Sequence, residues 1–219
     1  MRRMLFEKTG NAIWISHLDL MRLFQRAFSR AELPLTHTQG FNPRPSVSIA
    51  LPLSVGIESQ CELLDFTLDG EEVSDQDICQ RLNEVLTEGI RIVDVYDNGR
   101  KLRELVYLHS AVTLEYDNNT PVGAEEALRR LFGRPELIVP KKTKSGIQDQ
   151  DLIPMIHKLQ VEAVGEKEIV IDVVGCCQNP TLNPMQLAAA VKLHLPEFAP
   201  DFAKCRRIEI YDGNMNLFR

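Results

Sequence analysis

Residues 16–34, SHLDLMRLFQRAFSRAELP, decide how the first half of the chain folds. Leu20, Leu23, Phe24, Ala27, Phe28 and Ala31 recur with the 3.6-residue period of one helical face. Ser16 stands where an N-cap belongs, and Asp19 three residues on makes a variant of the capping box. The pattern predicts a helix running to about Glu32. Pro34 ends it, because the residue before a proline is pushed out of the helical region. Arg22, Arg26 and Arg30 lie four residues apart, away from the apolar face.

Working outward, residues 3–15 read as a strand carrying Met4, Phe6 and then Ala12 to Ile15, with Thr9-Gly10-Asn11 as a turn or bulge. Residues 35–45, LTHTQGFNPRP, read as a loop. In 46–53, Val47, Ile49 and Leu51 alternate with Ser46, Ser48 and Ala50, the mark of a strand with one buried face. Pro52 and Gly56 bracket a turn, and 61–68 is the hairpin partner. Ser74 caps a second helix with Ile78, Leu82, Val85 and Leu86 inward and Gly89 as its closing residue. Residues 90–96, IRIVDVY, follow as a buried strand. The order β-α-β-β-α-β is that of the split βαβ, or ferredoxin-like, unit.

The second half repeats this order loosely. Residues 109–116 read as a strand, Thr120-Pro121 as the start of a helix that Gly133 stops, and 136–140 as a short strand. A polar loop is expected to about Gln150. A hairpin of 156–164 and 168–174 turns at Gly165-Glu166. Asn183-Pro184 opens a helix with Leu187, Ala188, Val191 and Leu195, and 206–211 closes as a strand. The expected class is α+β: two tandem ferredoxin-like (βαββαβ) modules with antiparallel sheets, over 1–97 and 108–219.

The chain has 219 residues, 44% hydrophobic and 26% charged, which excludes wholesale disorder. Five irregularly spaced Cys argue against a secreted disulfide scaffold. With no long apolar run and no apolar stretch after Met1, a cytoplasmic protein without membrane contact is the expectation. The net charge of -6 argues at first sight against a polyanion partner, but the mean hides its distribution. Residues 1–48 carry net +4, 58–97 net -10 and 129–146 net +5. Locally gathered basic residues bind polyanions even inside an acidic protein.

The densest polar constellation spans 16–45. Arg22, Arg26, Arg30 and Arg44 offer guanidinium forks for phosphate, joined by His37 and Asn42. Phe41, on a loop that Gly40, Pro43 and Pro45 shape, is a candidate for base stacking; its alternative role is to plug the core. Residues 141–146, KKTKSG, make a basic tip whose Lys141, Lys142 and Lys144 are a second candidate phosphate contact. His17 and His37 are the candidates for general acid-base catalysis. A helix of this length is about 25 Å long, so the two do not form one pair unless the loop folds back along it. Cys176-Cys177 is a vicinal pair with no ligand at zinc-type spacing, and no nucleotide, metal or nucleophile signature is present. No cofactor and no metal site is expected.

SHLDLMR at 16–22, the arginine-rich helix, GFNPRP at 40–45, ALPLSVGIES at 50–59, and Glu62 with Asp65 resemble the radical-SAM-linked domain of unknown function. The resemblance extends more weakly through the K-T-K-x-G stretch at 142–146, Asp151 and Ile153-Pro154. Ser29 stands where the family usually carries a basic residue. Members of the family occur alone or fused to cobalamin-binding radical SAM enzymes, often encoded beside an E/G-type ribonuclease and ribosomal proteins. The resemblance therefore implies an accessory module for a separate radical SAM protein, binding RNA or a ribosome-related substrate rather than acting as an enzyme on its own. Two other readings stand beside it: a metal-independent RNA-processing enzyme using His17 or His37, and a protein–protein adaptor without nucleic acid.

Overall fold

The computed structural model describes residues 1–219 except Glu71, Asn98, Lys144 and Ser145. The fold is a mixed α+β arrangement with a large, mostly antiparallel sheet and four α-helices among the described residues. The chain divides into two compact units, 1–104 with Arg219, and 105–218.

The first unit runs β1 (Arg2–Lys8), α1 (His17–Arg30), β2 (Val47–Ile49), β3 (Glu58–Phe66), α2 (Asp75–Val85) and β4 (Ile90–Asp97). β1 pairs with β4 on one side and β3 on the other, and β2 pairs with β3. The helices form where their caps and periods direct. Ser16 Oγ accepts from the Asp19 amide at 3.2 Å, and Ser74 Oγ from the Asp77 amide at 3.1 Å. Leu20, Phe24, Ala27 and Phe28 of α1 and Ile78 and Leu82 of α2 are buried in one cluster with Met4, Phe6, Leu64, Phe66, Ile92 and Val95. Phe6 meets Phe24 edge to face at 4.8 Å between centroids, a favoured aromatic geometry.

Three features depart from the sequence reading. β1 stops at Lys8, and residues 10–14 form a 3₁₀ turn rather than more strand, with Gly10 at φ +52° reversing the chain. Trp14, read as part of a strand, is exposed and lies 3.4 Å from where a Cβ on Gly56 would be. Gly89, at φ +84°, does not close α2. It lets the backbone approach Thr9, whose amide donates to the Gly89 carbonyl at 2.8 Å; a Cβ there would stand 2.4 Å from the Thr9 carbonyl oxygen.

Charged side chains are buried in this unit. Arg3 donates to Asp65 through Nε at 2.6 Å and Nη2 at 3.0 Å, the bidentate fork geometry. Lys8, also buried, donates to the Ile13 carbonyl at 3.1 Å. Burial pushes its pKa down, and the nearby buried Glu62 carboxylate pulls the other way.

The second unit runs β5 (Leu105–Glu115), α3 (Ala124–Phe132), β6 (Ile138–Thr143), β7 (Gly146–Asp151), β8 (Ile156–Val164), β9 (Glu168–Cys176), α4 (Met185–His194) and β10 (Phe202–Asp212). Its sheet has the order β10-β5-β9-β8. Val112, Leu114, Ile169, Ile171 and Val173 form the buried face with Leu128 and Leu131 of α3 and Leu187, Ala190 and Val191 of α4. The residues read as a polar loop after 140 instead form a separate hairpin, β6 with β7, in the register Lys141 to Gln148 and Lys142 to Ile147. α3 begins at Ala124, after Gly123 at φ +81°, not at Thr120-Pro121.

Candidate functional site

The arginine stripe is built from the first turn of α1 upward. Ser16 Oγ donates to Asp19 Oδ2 at 2.7 Å, and Arg22 Nη1 donates to Asp19 Oδ1 at 3.1 Å. The Ser16 hydroxyl first, then Arg22, holds the Asp19 carboxyl below its usual range. Asp19 therefore caps the helix and engages Arg22. Arg26 and Arg30, one and two turns further on, are exposed, and their side chains make no hydrogen bond or ion pair among the described residues. Successive arginines of the stripe stand about 6 Å apart along the axis. All three line one side of a groove of about 570 Å³ whose other wall is Val85, Leu86 and Thr87, just past α2. The groove thus has an apolar wall facing a row of guanidinium groups, two of them in no ion pair among the described residues.

The loop 35–45 is an ordered, closed excursion. The Thr38 amide donates to the Arg44 carbonyl at 2.8 Å, and the Arg44 amide donates to Thr38 Oγ1 at 3.0 Å. Thr36 is held to Thr67 and Ser46 by backbone bonds of 2.9 and 2.8 Å. At the tip, Gly40 has φ +140°, a backbone conformation that favours glycine. Phe41 is fully exposed, at 105% relative accessibility, which overturns its alternative reading as a core plug. Asn42 and Arg44 are exposed beside it.

The stretch read as one constellation therefore divides around α1. Arg22, Arg26 and Arg30 line the groove with 85–87. His37 lines a second groove of about 500 Å³, with Gln25, Ser29 and Glu32 from another side of the helix. Pro45 lines that second groove too, whereas Phe41, Asn42 and Arg44, on the same loop, line neither. His17, in the first turn of α1, lines neither.

Lys141 and Lys142 are exposed, but they sit in β6 rather than on a flexible tip. Neighbouring residues of a strand point to opposite faces, so these two do not form one clamp. Lys144 lies outside the described residues. Among the described residues no cluster of three or more His, Cys, Asp or Glu is arranged to hold a metal. Burial pushes the thiols of Cys177 and Cys205 up to about 11, so both stay protonated at neutral pH.

Sequence reasoning passed over His109 and Asp172, whose Nε2 and Oδ2 are 2.8 Å apart. They are 63 residues apart in the chain and meet only through the pairing of β5 with β9. No local pattern announces that register.

Comparison with known sequences assigns the family. The profile of DUF2344, described as an uncharacterized protein conserved in bacteria, matches residues 2–184. The chain belongs to the DUF2344 family. The match covers the arginine helix, the GFNPRP loop and the buried carboxylates of the first unit, Glu62 and Asp65. No curated protein matches this DUF2344 chain. Among solved structures it is similar to a chain of a Cbf5-Nop10-Gar1 complex, with a TM-score of 0.56 and 7% identity, over 95% of this chain and 48% of that one. The DUF2344 chain thus spans about half the length of that structure, and the likeness is one of fold. An unknown protein from Galdieria sulphuraria aligns over 94% of this chain and 96% of its own, at 12% identity and a TM-score of 0.26. Among the described residues no helix is long and apolar enough to cross a membrane.

Proposed function

We propose that this DUF2344 chain is an accessory module that binds RNA, or a ribosome-related substrate, for a separate radical SAM enzyme. The observation that carries the RNA reading is the row Arg22, Arg26 and Arg30 along one groove, with Arg26 and Arg30 in no ion pair among the described residues. Guanidinium groups in that state meet phosphate without first breaking an internal ion pair. The fully exposed Phe41 supports the same reading, since an aromatic ring held out on a braced loop is a stacking surface for an unpaired base. The radical SAM partner rests on the resemblance of SHLDLMR, GFNPRP and ALPLSVGIES to that linked family.

At the level of fold, we read both units as ferredoxin-like modules. β4-β1-β3-β2 and β10-β5-β9-β8 have the same neighbour order once the β6–β7 hairpin is set aside as an insertion.

The catalytic reading is less well supported. Neither His17 nor His37 has a side-chain partner among the described residues to orient its ring, as acid-base catalysis requires. Crosslinking in cells, followed by recovery of the chain and identification of both nucleic acid and protein, tests the proposal. RNA is expected on peptides within 16–44, together with a radical SAM protein. A protein partner recovered without RNA and insensitive to nuclease would replace this reading with the adaptor one.

A further inference from the structure

β8 ends the sheet of the second unit: among the described residues it pairs with β9 and carries no strand on its other side. That free edge borders a groove of about 970 Å³, with Glu125, Arg129 and Phe132 of α3 opposite. A nine-residue strand with an open edge is a template for pairing with another chain. Arg129 shows which backbone groups are available. Its Nε and Nη2 donate to the Val161 carbonyl at 3.2 and 2.9 Å. Because N–H and C=O groups alternate sides along an antiparallel ladder, Leu159, Val161 and Ala163 direct theirs away from β9. The side chains of Lys158, Gln160 and Glu162 are exposed and share one face, opposite Val174, Asp172 and Val170 of β9.

We propose that two copies of this chain associate through β8, pairing it antiparallel with its own counterpart about a twofold axis at Gln160. Charge complementarity selects the partner and the register. With the axis at Gln160, Lys158 lies directly across from the partner's Glu162, and symmetry repeats the pair. Leu159 faces the partner's Val161, so the outward backbone groups of both strands meet. An axis at Lys158 or at Glu162 would oppose like charges. An axis at Leu159 or Val161 would leave both charges without a counter-charge directly across. The Val161 carbonyl has two lone pairs and accepts from the partner's Leu159 amide while keeping Arg129. The contact is isologous, so it closes as a dimer in which each β8 edge is occupied by the other. It involves none of the arginine stripe, so it stands or falls apart from the RNA reading.

Sedimentation velocity on the full chain tests the proposal. The unaltered protein is expected to dimerise in the micromolar range. Lys158→Glu and Glu162→Lys each turn two attractive pairs into two repulsive ones and are expected to weaken the dimer by about tenfold or more. The decisive arm mixes the two single variants. Glu at 158 then faces Lys at 162, and Lys158 faces Glu162, so heterodimers form from weakly associating parents. The double variant Lys158→Glu/Glu162→Lys is likewise expected to recover the dimer. Far-UV circular dichroism checks that each variant folds. If a reversal disturbs the fold, Lys158→Gln and Glu162→Gln give smaller shifts of the same sign. A native chain that stays monomeric across the micromolar range overturns the proposal. So does a dimer indifferent to both reversals, or single variants that do not recover on mixing.

Discussion

Replacing Asp65 with Ala should be among the most damaging single changes to the first unit. Arg3 and Asp65 face each other across β1 and β3, with side-chain exposures of 1% and 11% and two hydrogen bonds of 2.6 and 3.0 Å. Truncating the carboxylate takes from the buried guanidinium the group that accepts two of its hydrogen bonds. Breaking one partner of a buried pair costs about 3–5 kcal/mol. An exposed pair is the contrast: Arg22 and Asp19 are 68% and 60% exposed, and Arg22→Ala should cost less than about 1 kcal/mol. Against a total stability of about 5–15 kcal/mol, the first change removes a large fraction and the second almost none. Urea titration followed by circular dichroism measures both, with the fluorescence of Trp14, the one tryptophan, reporting on the same unit. The double variant Arg3→Met/Asp65→Leu removes both charges together and should recover most of the loss. An Asp65→Ala cost below about 1 kcal/mol, or a double variant no more stable than the single, would refute the reasoning.

Three further outcomes are expected. Gly89→Ala combines a left-handed backbone with a Cβ 2.4 Å from the Thr9 carbonyl, and should destabilise the first unit by about 2–4 kcal/mol in the same urea titration. Phe41→Ala should leave the melting temperature unchanged, because the ring is fully exposed, yet weaken binding of an unstructured RNA oligonucleotide by about 1–3 kcal/mol in fluorescence anisotropy. Cys177 and Cys205 have folded pKa values near 11 against 9.0 for an ordinary thiol, so the unfolded chain loses protons first as pH rises. Their contribution is fully present below pH 9 and lost as pH climbs towards 11; unfolding curves at these pH values should show the decline, reduced in Cys205→Ala.

What the sequence revealed depended on whether burial left a period in it. α1 was legible because Leu20, Phe24, Ala27 and Phe28 all enter the core and Ser16 caps the helix. The strand read over 46–53 was legible only over 47–49, where Ser48 is exposed and Ile49 buried; it ends before Leu51, whose φ of +46° leaves the extended region. The β6–β7 hairpin was not, since its outer part, Lys141 and Lys142 against Gln148 and Ile147, is exposed on both strands and no alternation marks it. The run AIWI at 12–15 misled because apolar content there reflects a turn with an exposed Trp14, not a continuing strand. The arginine stripe was readable as an i, i+4 series along one helix. Its separation from His37 was not, because that depends on which side of α1 the loop 35–45 returns along. The open edge of β8 was out of reach for a similar reason: strand order in a sheet is a tertiary fact.

The most direct test of the RNA reading is a salt titration of RNA affinity for the unaltered chain and for Arg26→Glu/Arg30→Glu. A labelled RNA hairpin with an unpaired loop serves as the probe. The account predicts that the unaltered chain binds with an affinity falling steeply with salt. The double reversal should weaken that binding by at least about tenfold and flatten the log–log slope by about 1–2, the share of two phosphate contacts. An affinity and a salt slope unchanged by the double reversal, in a variant whose circular dichroism shows it folded, would contradict it.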